Sequence, residues 1–162
     1  MTVDRLTKLK VCNDLLTDLG QLDAIMKDYA GFSERYAGDR DASLYRAVAS
    51  FMTDFYLCTE SIFTSIADEL DGGAPRGRNW HKRLLTSMAA KKPGVRPAVI
   101  SAELCAALTP LLAFRHVVPQ AYGTTFDEGQ LADLERRFLA TRELFTREIQ
   151  AFYRHLCREG AP

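Results

Sequence analysis

The sequence predicts an all-α, up-and-down bundle of about five helices. Three observations carry this: apolar residues recur every three or four positions over long stretches, no stretch alternates apolar and polar residues as a half-buried strand would, and capping residues or glycine and proline stops separate the periodic segments. With 162 residues, the chain suits a single domain spanning 1–162, large enough to bury a core without metal or disulfide staples.

The first helix is read from Leu9, Cys12, Leu16, Leu19, Leu22, Met26 and Tyr29, which recur at helical spacing. A second opens at Asp41, a natural N-cap. It carries Leu44, Val48, Phe51, Phe55, Cys58, Ile62 and Ile66 as far as the stop signal DGG at 71–73. A short third lies in NWHKRLLTSMAA and ends at KKPGVRP, whose prolines and glycine cannot continue it. Ser101 caps a fourth, with Leu104, Leu108, Leu111 and Leu112 on its apolar side. Asp127, with Gln130 three residues on, gives the fifth a start resembling a capping box, and Leu131, Leu134, Phe138, Phe145, Ile149, Phe152 and Leu156 form its stripe.

Composition narrows the function classes. Hydrophobic residues at 47% and charged residues at 26% exclude a disordered chain. No apolar run approaches the length of a membrane span, and MTVDRLTKLK lacks the apolar core of a signal peptide, so a cytoplasmic protein without membrane contact is expected. Cys12, Cys58, Cys105 and Cys157 are widely spaced, form no CxxC pair and fall beside apolar residues in helical segments. They are expected to be reduced core thiols, not a zinc site or a disulfide, and neither a metal nor a cofactor is expected.

The formal charge is zero, but it is unevenly laid out. Between Gly72 and Ala102 there is no acid, while Arg76, Arg78, Lys82, Arg83, Lys91, Lys92 and Arg96 supply seven cations, leaving 14 basic against 21 acidic residues elsewhere. Two readings fit: a solvated loop with scattered cations, or a face that binds phosphate or RNA on an otherwise acidic body.

The stretch FRHVVPQAYG at 114–123 is the most unusual. On a helix of about 100° per residue, Leu104, Leu108, Leu111, Arg115, Val118 and Tyr122 share a face, so a guanidinium interrupts an apolar stripe. An unpaired buried charge is too costly, so Arg115 must pair with a carboxylate, face a subunit interface or meet an anion in a cleft. Pro119 has no N–H to bond the carbonyl of residue 115, so the ladder opens at Arg115 itself. Gly123 suits the end of that helix.

Trp80, His81, Leu84, Leu85 and Met88, then RPAVIS at 96–101, then LLAFRHVVPQAYG at 111–123 with Phe126, together resemble the HepT-like branch of the HEPN superfamily. The resemblance implies a dimeric HEPN-like helical bundle, many of whose members are ribonuclease toxins paired with a minimal nucleotidyltransferase antitoxin. The family signature is an arginine, four to six residues, a histidine, one residue and a tyrosine. Arg115 and Tyr122 match it, but Gln120 stands where the histidine belongs, and Pro119 replaces a residue that keeps the helix going.

In the family, two protomers pair their motif helices, so that arginines and histidines line a cleft for RNA. The resemblance thus implies a metal-independent endoribonuclease with Arg115 on phosphate, Gln120 at the histidine position, and Arg76, Arg78, His81, Lys82, Arg83 and Arg96 as further RNA or phosphate contacts. Glutamine cannot serve as a base near neutral pH. His116 beside Arg115 is the first substitute, and His81, which makes an isolated Arg-x4-His spacing with Arg76, is another; each equally suits an ordinary hydrogen-bonded side chain, as does His155. Tyr122 is the position at which the family's nucleotidyltransferase attaches AMP, although a tyrosine capping a helix end fits the same place. The alternative to an active enzyme is an impaired HEPN binding subunit that docks a nucleotidyltransferase and presents Tyr122 or a nucleotide; a helical scaffold without RNA or nucleotide binding is a third.

Overall fold

The computed structural model describes residues 3–38, 40–117 and 127–160, without the side chains of 115–117 and 159–160. The five predicted helices are present: α1 Arg5–Arg35, α2 Ala42–Leu70, α3 Trp80–Ala89, α4 Ala102–Val117 and α5 Glu128–Gly160. Among the described residues no strand forms; the only ladder-like pairing is an isolated bridge between Lys92 and Arg96. No helix among them is long and apolar enough to cross a membrane.

Four of the five starts are set by a side chain that satisfies backbone donors a helix leaves open. Asp4 accepts from the Thr7 amide at 2.9 Å, and Asp41 from the Ser43 and Leu44 amides at 2.9 and 3.0 Å. Ser101 Oγ accepts from the Leu104 amide at 3.0 Å, and Asp127 from the Gln130 amide at 2.9 Å. Glu148 of α5 reinforces the start of α4, accepting from the Ser101 amide and hydroxyl at 2.7 Å each. Only α3 lacks a side-chain cap: Asn79 precedes it in the left-handed region, at φ 60°, where asparagine is the most tolerant residue after glycine.

The core lies where α1, α2 and α5 meet, with α3 and α4 closing one side. Phe55 and Phe63 of α2 interleave edge to face with Phe138 and Phe145 of α5, at centroid separations of 5.2 to 5.9 Å. These are the favourable aromatic geometries.

The stripe read for α1 is offset from the one that packs. Cys12, Leu22 and Tyr29 are buried, and Leu19 and Met26 pack partly against the core, but Leu9 and Leu16 are 40% and 51% exposed. Val11 and Leu15 take their places in the core. Because α1 packs on both α2 and α5, its inner face is centred on the row 11, 15, 22, 29. Leu16 then lies about 125°, and Leu9 about 145°, around the helix from the middle of that row. In α4, Leu104, Leu108, Leu111 and Leu112 are buried as expected, and Pro110 is accommodated inside the helix.

A buried polar cluster that the sequence reading did not foresee ties α1 to α5. Tyr29 donates to Glu135 at 2.5 Å, and Arg40 bonds both Glu135 oxygens at 2.9 and 2.7 Å while lying 5.7 Å from the Phe32 ring. Burial, then the hydrogen bond to Glu135, pushes the Tyr29 phenol up to about 12.

The four cysteines are free thiols, with Cys12 and Cys58 buried and Cys105 and Cys157 half-buried. Burial pushes Cys58 up to about 11, as expected of an unreactive core thiol. Cys12 and Cys157, 145 positions apart in sequence, are brought to 2.9 Å between sulfurs.

Candidate nucleic-acid interface

The acid-free segment is a built structure rather than a slack loop. Gly72 and Gly73, at φ 82° and 131°, adopt conformations open mainly to glycine and stop α2. After α3, Pro93 and Gly94 form a tight turn in which Gly94 takes φ 76°, with Lys92 and Arg96 exchanging two backbone bonds of 2.9 Å. Proline followed by a positive-φ glycine is the pattern a type II turn requires.

Arg96 locks this excursion to the bundle. Its Nε and Nη2 donate to the two Asp71 oxygens at 2.7 Å each, Nη2 also to the Ser87 carbonyl at 3.2 Å, and Nη1 to the Ala90 and Pro97 carbonyls at 3.0 and 3.1 Å. All five guanidinium donors are therefore used. The Arg96 and Asp71 side chains are 0% and 1% exposed. Lys92 adds a second cation on Asp71 at 3.0 Å. Arg96 thus departs from the expected phosphate contact: it is a buried fork that also satisfies carbonyls at the end of α3.

The other cations divide differently. Arg76, Arg78, Lys82, Arg83 and Lys91 are all exposed. Arg83 donates to the Arg76 backbone carbonyl, which fastens the loop before α3 to its first turns. Leu84, Leu85 and Met88 bury the opposite side of α3, so Lys82 and Arg83 are held on its outer face.

His81 is half-buried at the start of α3, with Nδ1 2.5 Å from Glu60 Oε2. The Trp80 ring lies 3.7 Å from the imidazole, tilted by 33°. Glu60 is a buried residue of α2 and had no role in the sequence reading. The signal that could have found it is a carboxylate among Cys58, Thr59 and Ile62 on a helix whose neighbours are buried, because a buried acid needs a partner. A carboxylate on Nδ1 fixes the orientation of the ring. His155 lies elsewhere, half-buried beside Ser101, Glu148 and Phe152 along a cavity of about 420 Å³.

The helical backbone of α4 runs through residues 115 and 116, so Arg115 and His116 belong to its last turn. Their side chains, together with Pro119, Gln120 and Tyr122, lie outside the described residues. Packing of α3 on both α2 and α4 nevertheless sets His81, Lys82 and Arg83 on a helix that flanks α4, with Arg76 and Arg78 just before it and Lys91 just after. Among the described residues no group of three or more His, Cys, Asp or Glu could hold a metal ion.

A family model described as HepT-like protein matches residues 47–156, from the first turns of α2 almost to the end of α5. No curated protein and no solved structure matches the chain.

Proposed function

The chain belongs to the HepT-like protein family, and from that membership we propose that it is the RNA-directed toxin component of a toxin–antitoxin or defence pair. In this reading it is a metal-independent endoribonuclease working as a homodimer in the cytoplasm, with α4 of each protomer at the shared cleft. The observation that carries the proposal beyond membership is the acid-free, cation-bearing segment built around α3. Five exposed cations on a segment clamped by Arg96 and Asp71 present a preformed surface to a phosphate backbone, which needs no further ordering to bind.

Cleavage without metal proceeds by attack of an RNA 2′-oxygen on the adjacent phosphorus. A base removes the 2′ proton, a cation stabilises the five-coordinate phosphorane, and the bond to the 5′-oxygen breaks as that oxygen takes up a proton from water or the protonated base, leaving a cyclic phosphate and a 5′-hydroxyl. Arg115 supplies the cation in this proposal. His116 is the nearest base in sequence, with His81, its Nδ1 held by Glu60, as the second. General-base catalysis is worth a factor of about 10² to 10⁴, so the identity of the base sets the rate.

Tyr122 is the proposed control point. A partner nucleotidyltransferase would attach AMP by attack of the phenol oxygen on the α-phosphorus of ATP, releasing pyrophosphate. The added anion would then compete with RNA for Arg115.

Gln120 favours a second reading, an impaired subunit that binds RNA or nucleotide and docks the nucleotidyltransferase without cutting. The test is cleavage of end-labelled RNA in EDTA by the native protein and by Arg115→Ala, His116→Ala, His81→Ala and Gln120→His. Native cleavage lost in Arg115→Ala and in one histidine variant is the expected result. Cleavage that appears only in Gln120→His would overturn the enzymatic reading in favour of the binding subunit.

A further inference from the structure

We propose that Cys12 and Cys157 are a thiol pair that hydroperoxides convert into an intramolecular disulfide joining α1 to α5. The two sulfurs are 2.9 Å apart, and they sit near the outer ends of two helices that pack along much of their length. Cys58 and Cys105 make no such pair: their sulfurs rest against the backbone carbonyls of Asp18 and Leu85 at 3.6 and 3.9 Å. The chemistry available to the four cysteines therefore differs, although the sequence treats them alike.

The order of events follows from exposure. Cys12 is 4% exposed, and burial first, then the neighbouring Cys157 thiol, raises it to about 12; it is a poor first nucleophile. Cys157 is half-buried and reaches solvent. Its sulfur attacks the peroxide, the O–O bond breaks, and with hydrogen peroxide one water leaves while Cys157 becomes a sulfenic acid. The Cys12 sulfur, already in contact, then attacks the sulfenic sulfur. The S–S bond forms, the S–O bond breaks, and the Cys12 proton leaves with the hydroxyl as a second water. Two thiols and one hydrogen peroxide thus give one disulfide and two waters. Contact makes the second step intramolecular, which offsets the poor ionisation of Cys12.

The bridge spans 145 positions of sequence, nearly the whole chain, so it restricts the unfolded state strongly. It also prevents the terminal helices from separating. For a chain of this size the expected rise in Tm is roughly 10 °C.

The test uses the full chain, reduced and then treated with hydrogen peroxide. Expected are an intact mass lower by about 2 Da for the two lost hydrogens, two alkylatable thiols in place of four, a proteolytic peptide pair joined through Cys12 and Cys157, a raised Tm, and reversal by dithiothreitol. Cys58→Ser and Cys105→Ser should leave the cross-link unchanged, and Cys157→Ser should abolish it. Four thiols still alkylatable after peroxide, a sulfinic acid at Cys157 without a cross-link, or a bridge that includes Cys58, Cys105 or a second chain would each overturn the proposal. The thiol map is read on the native sequence, so a variant that failed to fold would not obscure it.

Discussion

Replacing Arg96 by methionine is expected to destabilise the protein sharply while removing no exposed charge from the basic face. The substitution keeps much of the aliphatic stem but deletes two bonds to Asp71 and three to the carbonyls of Ser87, Ala90 and Pro97. What remains is a carboxylate 1% exposed, with Lys92 as its remaining cation at 3.0 Å. Breaking one side of a buried ion pair costs about 3–5 kcal/mol, chiefly through the charge left behind. Lys92 draws this towards the lower end. In a chain of this length that corresponds to a fall in Tm of roughly 6–15 °C. The assay is thermal unfolding followed by circular dichroism, with Arg96→Lys and Arg78→Ala alongside. Arg96→Lys should recover only part of the loss, because an ammonium keeps the charge but not the planar fork. Arg78, exposed, should give a wild-type Tm. An Arg96→Met Tm within about 2 °C of wild type would refute the clamp, since it falls far below the loss expected for a broken buried pair.

Three further outcomes follow from the same geometry. Arg78→Ala and Lys82→Ala should weaken RNA binding similarly across sequences and lower the slope of log affinity against log salt by about 0.7 for each phosphate that is no longer neutralised; titrations at several salt concentrations check this. Tyr29→Phe should cost roughly 1.5–3 kcal/mol in urea unfolding, because the missing hydrogen bond is to a buried carboxylate. Since the folded Tyr29 phenol stands at about 12, above its unfolded value, the native state holds that proton more tightly. Its contribution is full below about pH 10 and lost as pH rises towards 12, and Tyr29→Phe should remove this part of the alkaline decline. Glu148→Ala should destabilise by about 1–2 kcal/mol, because the Ser101 amide and hydroxyl lose their carboxylate at the start of α4.

How much of this was legible in the sequence depends on the kind of signal each residue leaves. Asp41, Ser101 and Asp127 marked helix starts correctly because capping is local: the side chain bonds amides two or three residues away. The stop of α2 at Gly72, and the turn at Pro93 and Gly94 beyond the end of α3, were legible for the same reason. The inner face of α1 was not, since Leu9, Val11, Leu15 and Leu16 offer two overlapping apolar rows and only the direction of α2 and α5 selects between them. Arg96 and Arg78 look alike in a charge count, yet one is buried on Asp71 and the other exposed; the difference lies in the path of the chain between Gly72 and Ser101. Glu60 and His81, 21 positions apart, and Cys12 and Cys157, 145 apart, meet only through helix packing. No periodicity encodes either pair. Arg115 stands out in the sequence because a cation in an apolar stripe departs from the pattern of its own helix, but its side chain lies outside the described residues.

The most direct test of the RNA-directed reading is fluorescence anisotropy of a labelled single-stranded RNA titrated with the native protein and with Arg115→Ala, at two salt concentrations. The account predicts salt-dependent binding by the native chain and a loss of at least tenfold in affinity for Arg115→Ala, as for a charge-assisted phosphate contact of about 1.4 kcal/mol or more. Equal affinity of the two proteins, or no binding by either, would contradict it.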